Sequence, residues 1–320
     1  MIRVSKTLSA LALFLAFVGP AAAYPDRPVR IVVPFPPGGG TDIISRTLGS
    51  GMSKDLGQPV VIENKPGGGT ILGTAQVANA PADGYTLVMA TFAHAVNPSL
   101  KASLPYDTDK AFQPVALVAR SYNILVVNPN SRFKTVQDLL AAAKANPGKL
   151  NYGSFGIGTS AHLAGELFKY LGKVDLTHVA YQGAAAALTD LMAGQIDAMF
   201  TTVASVSSYI QAEQLRALAV TSAKRSPAVP DLPTIAEAGV PGYVAESWYG
   251  LYAPSGTPRD VVARLNKSAA EAVKSDGFKK LETVEGLTVA VGSPDELDRY
   301  VRGEEARWRD VVQAAHIEPQ

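Results

Sequence analysis

Not one of the 320 residues is cysteine. That absence excludes disulfides, thiolate metal sites, a cysteine nucleophile and a lipidated N-terminal cysteine. A charge excess is missing too: 29 Lys and Arg stand against 28 Asp and Glu. Such a chain has no basic field to draw nucleic acid or an anionic membrane. The histidines, His94, His162, His178 and His316, show neither HExxH nor close paired spacing, so the sequence supports no metal site. No loop ends in the GK[ST] of a Walker motif, and no GxSxG elbow occurs. Gly153, Gly156 and Gly158 fall as GxxGxG, the wrong order for a dinucleotide loop. A single long apolar run stands out, Leu8 to Val18, and it is too short for a membrane span of ~20 residues.

Arg3 and Lys6 precede that run and Ala21-Ala22-Ala23 follows it. Residues 1–23 therefore read as a secretory signal peptide cleaved after Ala23, leaving 320 − 23 = 297 residues from Tyr24. Losing Arg3 and Lys6 gives 27 cationic against 28 acidic residues, a net charge of −1. An exported, unlipidated chain of this kind is expected free in the periplasm. Its length exceeds the usual ~100–200 residues per domain, which favours two domains.

The rest of the sequence alternates strands and helices. Residues 29–34 (VRIVVP) form a nearly continuous apolar run, as in a strand covered on both faces. Thr41 or Asp42 can cap the helix that follows, where Ile43, Ile44, Thr47, Leu48 and Met52 recur at helical spacing. Strands are expected at 59–63, 85–90, 123–127, 150–153, 176–180, 195–200, 215–221 and 247–253. Helices are expected at 70–80, 135–145, 159–171, 184–193, 203–212, 258–275 and 294–315. PGGGT occurs at Pro37 and again at Pro66, 29 residues later, about one strand-helix unit. This alternation predicts an α/β protein with mostly parallel sheets, whose ligands sit where strand ends meet helix starts.

Three such loops stand out: FPPGGGTD at 35–42, GSFGIGTSAH at 153–162 and YQGAAAA at 181–187. Each follows an apolar strand and opens a helix. Glycines let backbone N–H groups crowd a ligand and the helix end adds partial positive charge, so an anion can be held without a formal cation. Thr41, Thr159 and Ser160 can add hydroxyls. The glycines are otherwise plain turns. Asp42 fits a helix cap better than a catalytic carboxylate. His162 either lines the cleft or completes a polar network. Of the aromatics Phe35, Phe92, Tyr181, Trp248 and Tyr249, the two on glycine loops, Phe35 and Tyr181, are the stronger ligand candidates; the others suit a core. The second PGGGT reads as part of the repeated unit and not of the ligand site.

Six segments, VRIVVPFPPGGGTD, VVIENKPGGGTILGTAQVANAPADGYTL, NYGSFGIGTSAHLAGELF, VAYQGAAAALTDLMAGQIDAMF, LRALAVTSAKRSPAVPDLPTIAEAGVPG and SWYGLYAPSGTP, run in order across nearly the whole mature chain. In these the chain resembles the Bug-type receptors, extracytoplasmic solute-binding proteins of the tripartite tricarboxylate transporter system. The resemblance implies a periplasmic-binding-protein-like fold: two doubly wound α/β lobes joined by a two-strand hinge, with the ligand cleft between them. It implies a small organic carboxylate as ligand, the transporter's membrane subunits as partners, no cofactor and no catalysis. By position, Phe35, Gly39, Gly40, Thr41, Asp42, Thr91 and Phe92 would come from the first lobe. Ser154, Gly158, Thr159, Ser160, His162, Tyr181, Gln182, Gly183, Ala184 and Thr201 would come from the second, with Trp248 near the return hinge. Many relatives carry an acidic or amide residue after GQIDAMF, where this chain has Thr201-Thr202. That departure points away from an amino-acid ligand.

The expected lobes are 24–122 plus 248–320, and 123–247, in a monomer. Two alternatives remain at this point: a receptor that presents its ligand to a sensor, and an exported hydrolase using Ser160 and His162. The second is disfavoured because residues two apart on a helix do not face each other.

Overall fold

The computed structural model describes residues 24–315 and 317, so the expected signal peptide and His316 lie outside the described residues. The first unit is β1 (Val29–Val33), α1 (Gly40–Leu56), β2 (Val60–Asn64), α2 (Ile71–Ala78) and β3 (Thr86–Thr91), with β1 parallel to both its neighbours. The apolar stripe of α1 works as its spacing predicts: Ile44, Leu48 and Met52 are buried.

Next come α3 (Phe92–Leu100) and β4 (Phe112–Val127). The strand expected at 123–127 is only the end of β4, which runs for 16 residues. Its first part went unread because Pro114 and register shifts near 114–116 and 117–119 break the alternation that marks a strand. Pro98 inside α3 hid that helix in the same way.

The second group holds α4 (Val136–Ala145), β5 (Asn151–Ser154), α5 (Ser160–Gly172), β6 (Thr177–Ala180), α6 (Ala184–Met192), β7 (Ala198–Thr202), α7 (Val203–Gln211) and β8 (Arg216–Val220). The chain returns through β9 (Glu246–Pro254) to α8 (Arg259–Ala272), α9 (Asp276–Glu285), β10 (Thr288–Val289) and α10 (Pro294–Ala314). Two capping boxes fix helix starts, Thr135 with Asp138 for α4 and Ser293 with Glu296 for α10.

Strand order is β2-β1-β3-β9-β4-β7-β5-β6, with β8 and β10 also on β4. The sheet is mixed and not mostly parallel: β9 runs antiparallel to β3 and β4, and β4 antiparallel to β7 and β8. β4 belongs to both strand groups. Its residues 112–122 pair with β9, and its last residues pair with β7 and β8. The β4–β9 ladder ends at Tyr122 opposite Glu246, where two adjacent chain segments pass between the lobes. Thr221, fully buried, fastens both: its hydroxyl accepts from Asn123 N–H at 2.8 Å and contacts Ala245 O, while Ala245 N–H donates to Thr221 O.

Each lobe has its own core. Ile31, Leu48, Leu251 and Phe278 mark one, and Leu125, Tyr152, Phe168 and Phe200 the other. The C-terminal helix adds to the second of these clusters, where Trp308 packs edge-on against Phe92 at 4.7 Å.

Candidate functional site

β1 delivers the chain into the loop 34–39 and straight into α1, whose N-cap is Gly39. Neither Thr41 nor Asp42 occupies the cap. Asp42 sits in the first turn and reaches back: its carboxylate accepts from Gly38 N–H at 3.0 Å, Arg46 Nε at 2.9 Å and Asn64 Nδ2 at 2.9 Å. Burial opposes its charge, but Arg46, the Gly38 N–H and Asn64 outweigh that and hold its pKa below the ordinary value. Asp42 is therefore a brace beneath the loop, and no N-cap side chain accepts from the first N–H groups of α1. Gly40 N–H donates to Ser205 Oγ at 3.2 Å, while the Thr41 and Asp42 N–H groups find no acceptor among the described residues.

Facing them is α6, which Gly183 opens at φ 122°, again without a capping side chain. Two uncapped helix ends thus converge on one chamber. It is lined by residues 35–37, 39–41 and 182–186, with Phe155, Thr202 and Ser205. A second chamber abuts it, sharing Phe35, Pro36, Phe155 and Gln182, and continues along residues 66–70, 156–157, 159 and 180–181 to Lys101. Phe35 and Phe155 meet edge to face at 6.2 Å and stand between the two. No Asp or Glu lines either chamber. That leaves backbone N–H groups, hydroxyls and a single lysine, a lining that suits an anion.

The lobes touch around these chambers. A Cβ placed on Gly40 would stand 2.6 Å from Thr202 Oγ1, and one on Gly69 would stand 2.9 Å from Ile157 O. Glycine at both positions is what lets the opposite lobe come this close.

The family model described as "Tripartite tricarboxylate transporter family receptor" matches residues 44–317. The chain belongs to this family. Solved relatives agree with its fold. The periplasmic binding protein BugD matches with TM-score 0.89 and 34% identity, over 93% of this chain and 100% of that one. The Rhodopseudomonas palustris protein Rpa4515, solved with adipate, gives TM-score 0.90 and 38% identity over 93% and 100%. MatC of the same organism, solved with malate, gives 0.86 and 34% over 90% and 100%. The two-lobed architecture is thus that of a periplasmic solute-binding protein, and the chain is a Bug-type receptor.

In this receptor the expected site residues divide into three groups. Phe35, Gly39, Gly40, Thr41, Gln182, Gly183 and Ala184 line the first chamber, and Thr159 and Tyr181 line the second. Tyr181 turns its hydroxyl onto Asp190 at 2.7 Å; burial and that carboxylate push its pKa up to about 12, so the hydroxyl is already engaged.

Ser154, Gly158, Ser160 and His162 stand behind the loop and hold it. His162 Nδ1 accepts from Gly158 N–H at 3.3 Å and its ring stacks on His178 at 4.3 Å. Ser154 Oγ pairs with His178 Nε2 at 2.7 Å, and Ser160 Oγ contacts Asn123 Oδ1 at 3.4 Å. Burial is the main reason both rings stay neutral, with pKa near 4 for His162 and near 3 for His178. Of the two possibilities for His162, the network is the one observed. Ser154–His178 is a better-placed pair than Ser160–His162, yet Ser154 is fully buried and lines neither chamber.

Asp42, Thr91, Phe92, Thr201 and Trp248 lie away from both chambers. Phe92 and Trp248 are core residues, 1% and 0% exposed. Thr91 and Thr201 are buried. Successive strand side chains point to opposite faces, so Thr202 reaches the cleft and Thr201 does not. Thr202, Ser205, Phe155, Lys101 and the loop 66–70 were missed. A signal existed for some of them: Thr202 is the N-cap of α7, and the second PGGGT repeats the first.

Proposed function

We propose that this protein is a periplasmic receptor that captures a small organic carboxylate lacking an ammonium group and delivers it to a tripartite tricarboxylate transporter. The observation that carries the reading is the first chamber: two uncapped helix N-termini converge on a space with no carboxylate side chain. A carboxylate ligand fits those N–H donors. An ammonium would find no counter-charge there, because Thr202 stands where an acidic group could serve. Adipate and malate, held by two relatives, are non-amino dicarboxylates.

Under this reading the signal segment 1–23 is removed after Ala23, and the mature chain works as a monomer without cofactor or turnover. The lobes are 24–122 plus 248–320, and 123–247, closing about the paired crossings near Tyr122 and Glu246. Ligand drives closure by binding the closed form more tightly than the open one. The binding partners are the transporter's membrane subunits. Among the described residues no helix is long and apolar enough to cross a membrane itself.

A thermal-shift panel of carboxylates, hydroxy acids and amino acids tests this. A binding acid at 100 times its dissociation constant should add about 2.7 kcal/mol to stability. Native mass spectrometry should show the same acid unchanged after incubation. Aspartate or glutamate giving the largest shift would overturn the ligand class, and chemical conversion of the bound acid would overturn the receptor reading.

A further inference from the structure

We infer that His162 and His178 form one positioning clamp on the loop 154–158, so that the affinity of the cleft for its acid depends on both rings although neither lines a chamber. This rests on the carboxylate-receptor reading and names the residues that fix one wall of that site.

The loop makes contacts on two fronts. Phe155 lines both chambers, and Gly156 and Ile157 line the second. The same loop meets the opposite lobe: a Cβ on Gly158 would stand 2.8 Å from Asn97 Oδ1, and the Ile157 carbonyl lies against Gly69. Gly156 and Gly158 have φ of 139° and 77°. Glycine backbone has little preference of its own for one such shape, so the groups that pin the loop decide where Phe155 stands.

Those groups sit at its two ends. At the first, His178 Nε2 pairs with Ser154 Oγ at 2.7 Å, and that oxygen also accepts from Gly156 N–H at 3.2 Å. At the last, His162 Nδ1 accepts from Gly158 N–H at 3.3 Å. The two rings stack on each other at 4.3 Å, and Tyr152 stacks on His178 at 4.9 Å. Tyr152 is itself fixed, because its hydroxyl donates to Glu166 Oε1 at 2.7 Å and Lys169 pairs with the same carboxylate at 3.0 Å. In close packing a shift of either histidine displaces the other, so the two ends of the loop are held or released together. Nδ1 accepts only while unprotonated, which puts the proton of neutral His162 on Nε2.

The test is calorimetric titration of adipate, malate and the other acids of the panel into wild type and variants, with long-range nitrogen–proton NMR spectra of the free protein. His178→Phe keeps an aromatic ring in the stack and removes the partner of Ser154. His162→Leu removes the acceptor of Gly158 N–H. Each should weaken the best-bound acid roughly tenfold, and the double variant should also weaken it roughly tenfold, since one freed end already releases the loop. His178→Gln and His162→Asn put a side-chain amide where Nε2 and Nδ1 stood and should bind within about twofold of wild type. Ser154→Ala leaves both rings in place and should match His178→Phe. The spectra should show His162 protonated on Nε2 alone. Unchanged affinity in Ser154→Ala and His178→Phe would overturn the clamp and leave the receptor reading standing. So would losses that multiply in the double variant, no recovery in the amide variants, or a proton on His162 Nδ1. No binding of any acid to wild type would overturn both.

Discussion

The two PGGGT loops share five letters and little else. In the first, Gly38 is left-handed at φ 84°, Gly39 is extended and Gly40 already begins α1. In the second, Gly67, Gly68 and Gly69 all have positive φ and Thr70 joins them at φ 81° before α2 begins at Ile71. Their braces differ too. A charged group, Asp42, holds the first from below, whereas neutral Asn97 holds the second by donating to Gly69 O and Thr70 Oγ1. The helix that follows sets the difference. α1 has 17 residues and a buried stripe to anchor it, and α2 has only eight, all but Gln76 small or apolar, so the second loop bends to suit its neighbours. Each still brings a glycine against the opposite lobe. The pentapeptide supplies permission for close approach, and the surroundings decide the shape.

Acid should separate the braces and produce the largest effect. His94, His162 and His178 are held neutral chiefly by burial, with pKa near 4, 4 and 3. The unfolded chain takes up those protons below about pH 6.5, so stability is full above that value and falls as pH drops toward 4, by about 1.4 kcal/mol per pH unit per group. Asp42 contributes in a lower window: its folded pKa is depressed, so its stabilisation is present above about pH 4 and is lost only below. Denaturant titrations of wild type and Asp42→Asn should therefore run parallel between pH 6.5 and 5 and converge in stronger acid. Curves that converge already at pH 6 would break the assignment.

Next in size, Asp42→Ala should cost about 2–3 kcal/mol in urea denaturation, because it strands the Gly38 N–H and Asn64 donors it now satisfies. Asn97→Ala should cost about 1–2 kcal/mol, the neutral brace being weaker. An equal loss would erase the contrast between the loops.

Gly40→Ala reads closure alone. The position is the first residue of a helix, where alanine is favourable. Its methyl would nevertheless meet Thr202 Oγ1 across the cleft. Carboxylate affinity should fall roughly tenfold with ligand-free melting unchanged or raised, and Thr202→Ala in the same chain should restore it. Thr70→Gly should change stability least, by about 1 kcal/mol or less, since relief of a left-handed threonine offsets the lost Oγ1 contact.

Much of this was legible beforehand, for identifiable reasons. Elements with clean periodicity, such as α5 and β1, match their expected bounds within a residue or two. Only the last five of the 16 residues of β4 were legible, because bulges and Pro114 interrupt the pattern of its first part. At the site, the glycine loops announced themselves, because a backbone that must expose N–H groups needs glycine in the sequence. The side chains that face the cleft from elsewhere did not. Phe155 and Lys101 have no local pattern that distinguishes them from any exposed aromatic or lysine. Thr201 and Thr202 differ only in strand parity, which one residue of error reverses. Phe92 and Trp248 were placed near the ligand by chain position, and packing put them in the core.

The central claim is that an acid is held between the two lobes by glycine-bearing loops, and one calorimetric series tests it most directly. The acid that best stabilises the wild type should be titrated into wild type, Gly40→Ala and the Gly40→Ala/Thr202→Ala pair. The account predicts saturable one-to-one binding that weakens in the single variant and recovers in the double. Gly40→Ala binding the acid as tightly as wild type would contradict it.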